Sequence, residues 1–371
     1  MAYKQEYMEL AIELAKKGIG AVNPNPLVGA VIVKDDRIIG QGYHARYGEL
    51  HAERAAFANL TEDAAGAEMY VTLEPCCHYG KQPPCTLAIV EHGIRKVYVG
   101  SDDPNDKVAG KGIAFLREHG VEVETGVMKD ACDAINPVFF HYITTKLPYV
   151  VMKYAMSMDG KIAAYTGKSQ WITGEAARHH VQETRNWLKG IMVGIHTVLQ
   201  DDPALTCRIE GGRNPVRIVC DSHLRIPLDC RIVRTAVDVP TIVATLDGAS
   251  GKAKELEQAN VQILQCKEKD GRIDLYDLMV QLGAQDIDGI LLEGGGTLNE
   301  QALAQDIVQE VQVYIAPKIL GGADAKTPVE GKGVPDPNGA YRFAFDGMEQ
   351  VGDDILLRYR KEKREICLQE S

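Results

Sequence analysis

Apolar positions along the first half of this chain alternate between two periods. Tyr7, Leu10, Ala11 and Leu14 fall at helical spacing, which predicts a helix over residues 3–17 that Gly18 stops. After the turn Asn23-Pro24-Asn25-Pro26 the spacing tightens to an apolar run over 27–33. Asp35-Asp36 then folds that run onto residues 37–43 as a hairpin. The same reading predicts helices over 51–60, 85–92, 112–119 and 129–144, with strands over 68–73, 95–100 and 121–125 between them. Strands and helices alternating in this way imply a three-layer α/β sandwich.

A boundary is expected at residues 144–148, where a helical pattern ends and Pro148 opens a strand over 149–156. Beyond the turn Ser157-Met158-Asp159-Gly160, residues 171–174 lead into a helix over 175–188. Apolar strands follow at 190–193, 216–220, 241–245, 261–265 and 289–292, with a helical turn at 196–199. This pattern predicts a mostly parallel sheet with covering helices. Glu293-Gly294-Gly295-Gly296-Thr297-Leu298 leaves the last of these strands and opens a helix, a place where backbone can approach a phosphate. It is not G-x-G-x-x-G, so a Rossmann domain is disfavoured. The charged tail, 360–371, is expected to fray. Two domains are expected, over 1–146 and 147–371.

Length supports that division, because 371 residues exceed one ordinary core. Composition changes the picture only by exclusion. Hydrophobic content of 45% with 25% charged residues is that of a soluble globular protein. A formal charge of −11 argues against a nucleic-acid partner, since that affinity rests on neutralising phosphates. No apolar run reaches bilayer length, and the N-terminal stretch lacks a signal peptide's continuous apolar segment, so no membrane role is expected. Nine scattered cysteines do not form a disulfide framework and point to a reducing, cytoplasmic setting.

The chemistry gathers at His51-Ala52-Glu53 and Thr72-Leu73-Glu74-Pro75-Cys76-Cys77-His78, followed by Cys85. One imidazole and two thiolates can hold zinc and leave a fourth position open, which is a catalytic arrangement. H-x-E…P-C-x-x-C marks zinc-dependent base deaminases, with the Glu as acid/base. Here the cysteines stand further apart, and eight residues, 77–84, loop out between them. Singly, each of these residues reads as structural, a buried Cys being most often a small hydrophobe. Together they predict zinc held by His51, Cys76 and Cys85 with Glu53 as proton shuttle. Asn25, His44, His78, Lys81, Asp103 and Asn105 lie in turns beside the metal and are candidates for holding a base, although such turns favour polar residues anyway. Asp201-Asp202-Pro203-Ala204-Leu205-Thr206-Cys207-Arg208 is a second loop rich in charge.

These stretches, with KYAMSMDGKIA, SQWITG and LEGGG, resemble the bifunctional deaminase/reductase family of riboflavin biosynthesis, in the family's order and over nearly the whole chain. The resemblance implies a cytidine-deaminase-like domain followed by a dihydrofolate-reductase-like domain. It implies one zinc per chain and NADPH, a small phosphoribosyl-pyrimidine substrate, and self-association as a dimer or tetramer. On the deaminase side it places Asn25, His44, His78, Lys81, Asp103 and Asn105 on the pyrimidine and its ribose phosphate. On the reductase side it places Lys153, Ser169, Arg185, Leu205, Arg208 and Glu293 on the ribosyl substrate. Ala155, Trp171, Thr197, Asp201, Ser222, Gly295, Gly296, Thr297, Leu298, Asn299, Glu300 and Gln301 match its cofactor positions. NADPH over NADH rests on the family alone, because no basic residue is evidently committed to a 2′-phosphate. Asp106 departs from the family, which usually has proline after Asp-Pro-Asn. The reaction implied is hydrolytic loss of the ring amine as ammonia, then hydride transfer to C1′ of the ribose. The alternatives are a zinc deaminase of nucleosides or tRNA bases with an unrelated second domain, and a structural zinc module completed by Cys77 or His78.

Overall fold

The apolar run of the first hairpin is buried on both faces, which explains why it is continuous. Its strand β1 (Gly29–Lys34) lies inside a sheet in a computed structural model that describes residues 3–80, 82–105 and 108–362. The chain divides into two compact units, Met1–Lys146 and Leu147–Ser371.

In the first unit α1 (Gln5–Lys16) presents Met8, Ala11, Ile12 and Leu14 to the sheet. It sits so close to β1 that a Cβ on Gly29 would lie 1.9 Å from the Ala11 carbonyl oxygen. β1 turns into β2 (Arg37–Tyr43) as an antiparallel hairpin. The chain continues through α2 (Ala52–Ala58), β3 (Glu68–Leu73), α3 (Cys85–Glu91), β4 (Lys96–Ser101), α4 (Lys111–Glu118) and β5 (Glu122–Thr125). Among the described residues these form a five-stranded sheet in the order β2-β1-β3-β4-β5, parallel from β3 onward. One face packs Ala52, Ala56, Ala88, Ile89 and Leu116 of α2, α3 and α4, and the other packs α1. The three layers are those expected.

The helix expected over 129–144 is two helices, α5 (Lys129–Ala134) and α6 (Pro137–Thr145). Pro137 has no N–H to continue a ladder and disfavours helical backbone at Asn136, so the chain breaks there. The break has a use: the Asn136 side chain accepts from Leu27 N–H and donates to the Leu27 carbonyl, both at 2.8 Å. That pins the strand-entry turn after Pro26.

The second unit begins with β6 (Tyr149–Ser157), α7 (Glu175–Trp187), β7 (Gly190–Gly194), α8 (Ile195–Asp201), β8 (Val216–Cys220), α9 (Arg231–Arg234), β9 (Thr241–Thr245), α10 (Gly251–Gln258) and β10 (Val261–Gln265). A short hairpin, β11 (Glu268–Lys269) and β12 (Arg272–Ile273), precedes α11 (Leu275–Gly283), β13 (Gly289–Leu292), α12 (Gly296–Ala304), β14 (Glu310–Ala316), β15 (Phe343–Val351) and β16 (Asp354–Lys361). Among the described residues the sheet has nine strands, β10-β9-β8-β7-β13-β6-β14-β16-β15. It is parallel through β14, and β16 and β15 join antiparallel. The mostly parallel sheet is as expected. The tail differs: Arg360 and Lys361 belong to β16, with Arg360 opposite Glu310. Residues 363–371 lie outside the described ones.

Candidate active sites

In the first unit, two short helix starts bring the zinc candidates together. His51 is the N-cap residue of α2 and Cys85 the first residue of α3, while Cys76 follows β3. His51 Nδ1 lies 3.5 Å from Sγ of both Cys76 and Cys85, and one ligand atom from each of the three lies within 4.8 Å of the others. The Cys85 N–H donates to Cys76 Sγ at 3.4 Å. Arg54, not singled out from the sequence, positions Cys85: its guanidinium donates to the carbonyls of Pro83 and Pro84, each at 3.0 Å. An i+3 offset from His51 on a helix is the signal that could have found it.

The donor set suits zinc. The Cys85 thiol, by donating a hydrogen bond, holds the Cys76 thiol down at about 4, with His51 assisting. Cys85 is pushed up because it donates that bond and is buried beside Glu53. Losing the Cys85 proton as well would set two thiolates side by side, which need a cation, and a dication held by one imidazole and two sulfurs would meet that need. Glu53 is 3% exposed, and burial, then the neighbouring Cys76, raise its carboxyl above the ordinary range. Burial thus favours the protonated form of this carboxyl more than water would.

The pyrimidine candidates fall into two groups and two single cases. His44 Nδ1 lies 3.0 Å from the Leu50 carbonyl and its Nε2 3.1 Å from Asn25 Nδ2. Burial lowers the His44 pKa, so the ring is neutral; Nδ1–H donates to Leu50 and Nε2 accepts from Asn25. His44 packs edge-on to His51, ring centroids 5.5 Å apart, which ties this pair to the zinc candidates. Asp103 Oδ1 accepts from the Asn105 N–H at 2.8 Å, and burial raises its carboxyl to about 6. His78 Nδ1 is buried with no partner among the described residues, as a group awaiting a ligand would be. Lys81 and Asp106 lie outside the described residues.

In the second unit the charged candidates meet in a cavity of about 580 Å³. Lys153 and Ala155 come from β6, Arg185 from α7, Thr197 and Asp201 from α8, and Glu293 from the end of β13; Ser169, Trp171, Leu205 and Arg208 also line it. Arg185 forks onto Glu293, Nε to Oε1 at 2.8 Å and Nη2 to Oε2 at 3.0 Å, and donates to the Thr206 carbonyl at 3.0 Å. Burial would raise Glu293, but Arg185 and Lys153 outweigh it and hold the carboxyl at about 2. Burial lowers the Lys153 ammonium, with Glu293 opposing. Leu205 is buried at φ +49, a left-handed conformation of the strained kind that clusters at ligand sites.

Ser222 and the 295–301 stretch do not line this cavity. Gly295 is the N-cap residue of α12, with 296–301 in its first turns. The three glycines differ in purpose. A Cβ on Gly294 would lie 2.7 Å from Asn299 Oδ1, and one on Gly296 would lie 2.5 Å from Glu330 Cγ. Around Gly295 there is open space, so it alone of the three is not required for packing and suits a cofactor phosphate at the helix start. Arg178 and Gln182 are among the cavity residues that the sequence reading did not single out. Arg178, seven residues before Arg185 and so on its helix face, stacks its guanidinium 4.6 Å from the Trp171 ring centroid. Gln182 lines the cavity and accepts from the Arg208 N–H at 3.1 Å.

Comparison with known proteins finds a family match for each unit. Residues 1–101 match the cytidine and deoxycytidylate deaminase zinc-binding region, and residues 148–357 match the RibD C-terminal domain. The riboflavin biosynthesis protein RibD of Actinobacillus pleuropneumoniae is 52% identical over 354 residues, 95% of this chain and 94% of its own. The chain belongs to the RibD family. The Escherichia coli K12 member is 40% identical, covering 95% of this chain and 97% of its own. A solved structure from Thermotoga maritima, described as a diaminohydroxyphosphoribosylaminopyrimidine deaminase/5-amino-6-(5-phosphoribosylamino)uracil reductase, superposes with a TM-score of 0.87 at 38% identity. That match covers 96% of this chain and 98% of the other. As a RibD-family member the chain is a bifunctional deaminase/reductase of riboflavin biosynthesis, zinc-dependent in the first activity and NADPH-dependent in the second. Its substrate is a small-molecule pyrimidine. Among the described residues no helix is long and apolar enough to cross a membrane. A separate nucleoside or tRNA deaminase with an unrelated second domain, and a purely structural zinc module, are both set aside.

Proposed function

We propose that residues 1–146 deaminate 2,5-diamino-6-ribosylamino-4(3H)-pyrimidinone 5′-phosphate and that residues 147–371 reduce the ribosyl group of the resulting aminouracil to ribityl. The observation that carries this is the convergence of His51, Cys76 and Cys85 beside a buried carboxyl, Glu53. His51, Cys76 and Cys85 would hold a zinc ion, which would acidify a bound water toward neutrality. Glu53 takes one proton from that water as its oxygen bonds to the amine-bearing ring carbon, and delivers it to the amine, whose C–N bond breaks to release ammonia. Asn25, oriented by His44, and the Asp103–Asn105 turn hold the ring and ribose, with His78 and Lys81 from the loop between the cysteines.

NADPH, when bound at Ala155, Trp171, Thr197, Asp201, Ser222 and the Gly295–Gln301 turn, supplies hydride for C1′ of the ribose. Lys153 supplies a proton to the opening ribose, and Glu293 opposes the burial that lowers that lysine. Arg185 holds Glu293 in place, and Ser169, Leu205 and Arg208 bind the substrate beside them. A site built on two thiolates works in a reducing compartment, which supports a cytoplasmic setting. Self-association as a dimer or tetramer is supported by the edge strand β15, where Phe345 and Met348 are 63% and 67% exposed.

Removing zinc with a chelator is expected to abolish ammonia release and to leave NADPH oxidation on the deaminated intermediate unchanged. Zinc returned at one equivalent per chain should restore ammonia release. Full ammonia release by chelated, metal-analysed protein would refute the zinc assignment.

A further inference from the structure

The acid of Thr72-Leu73-Glu74-Pro75-Cys76 has no part in the roles assigned above, yet Glu74 is 3% exposed. Its backbone N–H donates to the Ser101 carbonyl at 3.0 Å. Its carboxylate accepts from backbone N–H groups on one turn. Gly110 donates to Oε2 at 3.0 Å, and Gly112 and Ile113 donate to Oε1 at 2.9 and 3.2 Å. These bonds replace lost water, and the positive end of α4 faces the charge. The seat is tight as well as polar: a Cβ on Gly112 would lie 2.1 Å from the Pro75 carbonyl oxygen and 3.1 Å from Glu74 Oε1.

The turn seated on Glu74 ends the loop that carries Asp103 and Asn105. Asp103 accepts from the Asn105 N–H, and the Asn105 carbonyl accepts from Val108 at 2.7 Å and Ala109 at 3.0 Å. Gly110 comes next and donates to Glu74. A continuous path therefore runs from the pyrimidine-binding loop, through one buried carboxylate, to the segment bearing Cys76. We propose that Glu74 is a positioning residue for deamination, locking the Asp103–Asn105 loop to the Cys76 segment and so fixing how the pyrimidine is presented to the zinc ligands. It rests on the deaminase reading of that site.

Glu74→Gln separates the two halves of this lock. The amide keeps one oxygen, which stays with Gly112 and Ile113, and turns its NH₂ group toward the Gly110 N–H, donor against donor. Loss of one charge-assisted bond on the loop side is expected to raise KM for the diaminopyrimidine substrate about tenfold, with kcat within about twofold of wild type. Zinc content should stay at one per chain, and the reductase rate on the deaminated intermediate should not move. Wild-type KM in Glu74→Gln would overturn the proposal. A fall in kcat together with zinc loss would also overturn it, because Glu74 would then serve the ligand segment alone. A second test needs no variant: the Gly110 amide of the wild-type chain should be protected from hydrogen exchange, and rapid exchange there would contradict the lock. Absence of ammonia release by the wild-type chain would overturn the deaminase reading itself, an outcome distinct from a normal wild type beside an unaffected Glu74→Gln.

Discussion

Replacing Glu53 with Gln is expected to lower the rate of ammonia release by about 10²- to 10⁴-fold, the usual contribution of a positioned general acid/base. The physical reason is narrow. Gln is close in volume to Glu, so the buried position stays filled, but it cannot carry a proton from water to the leaving amine. His51, Cys76 and Cys85 remain, so zinc content should be unchanged. The reductase rate on the deaminated intermediate should also be unchanged, which separates lost chemistry from lost fold. Steady-state ammonia release beside zinc analysis checks this, and near-normal deamination by zinc-loaded Glu53→Gln would remove Glu53 from the mechanism.

The second large effect is expected at Glu293. Side-chain exposures of 13% for Arg185 and 17% for Glu293 make this a largely buried pair. Glu293→Gln removes the negative charge facing both Arg185 and Lys153 and is expected to destabilise the second unit by about 3 kcal/mol, the lower end for breaking a buried pair. Reduction should be lost while deamination persists. The pH dependence follows from the depressed carboxyl. Its pKa is about 2 in the folded chain against an ordinary 4.5. That shift amounts to roughly 3 kcal/mol, fully present above about pH 4.5 and lost as pH falls toward 2. Urea denaturation at pH 6 and pH 3 should therefore show wild type losing more stability on acidification than Glu293→Gln. Equal losses would mean that the pair carries no such linkage.

The zinc candidates were legible in sequence because their placement is local. His51 must start a helix and Cys85 must follow Pro84 into one, so spacing and turn chemistry already determine where both side chains emerge. Glu74 was not legible as a lock, since its partners lie 36 to 39 residues away and are backbone groups without a sequence signature. The last three strands were missed for a similar reason. On β14, Glu310 and Gln312 are buried, satisfied by Tyr149 Oη at 3.0 Å and by each other at 2.9 Å, which breaks the apolar pattern. β15 is an exposed edge and shows no clean alternation. The split at Asn136 follows from Pro137, a signal that was present and outweighed by the apolar period on either side. In the Gly294-Gly295-Gly296 turn the sequence suggested ligand approach for all three glycines, whereas two are dictated by Asn299, Thr327 and Glu330.

The most direct test of the account is a single assay on the diaminopyrimidine ribosyl phosphate with zinc-loaded chain and NADPH, following ammonia and NADPH together. Ammonia should appear first, and NADPH should then fall by an equal amount. NADPH loss ahead of ammonia, or ammonia with no NADPH loss, would contradict the order and pairing of the two sites.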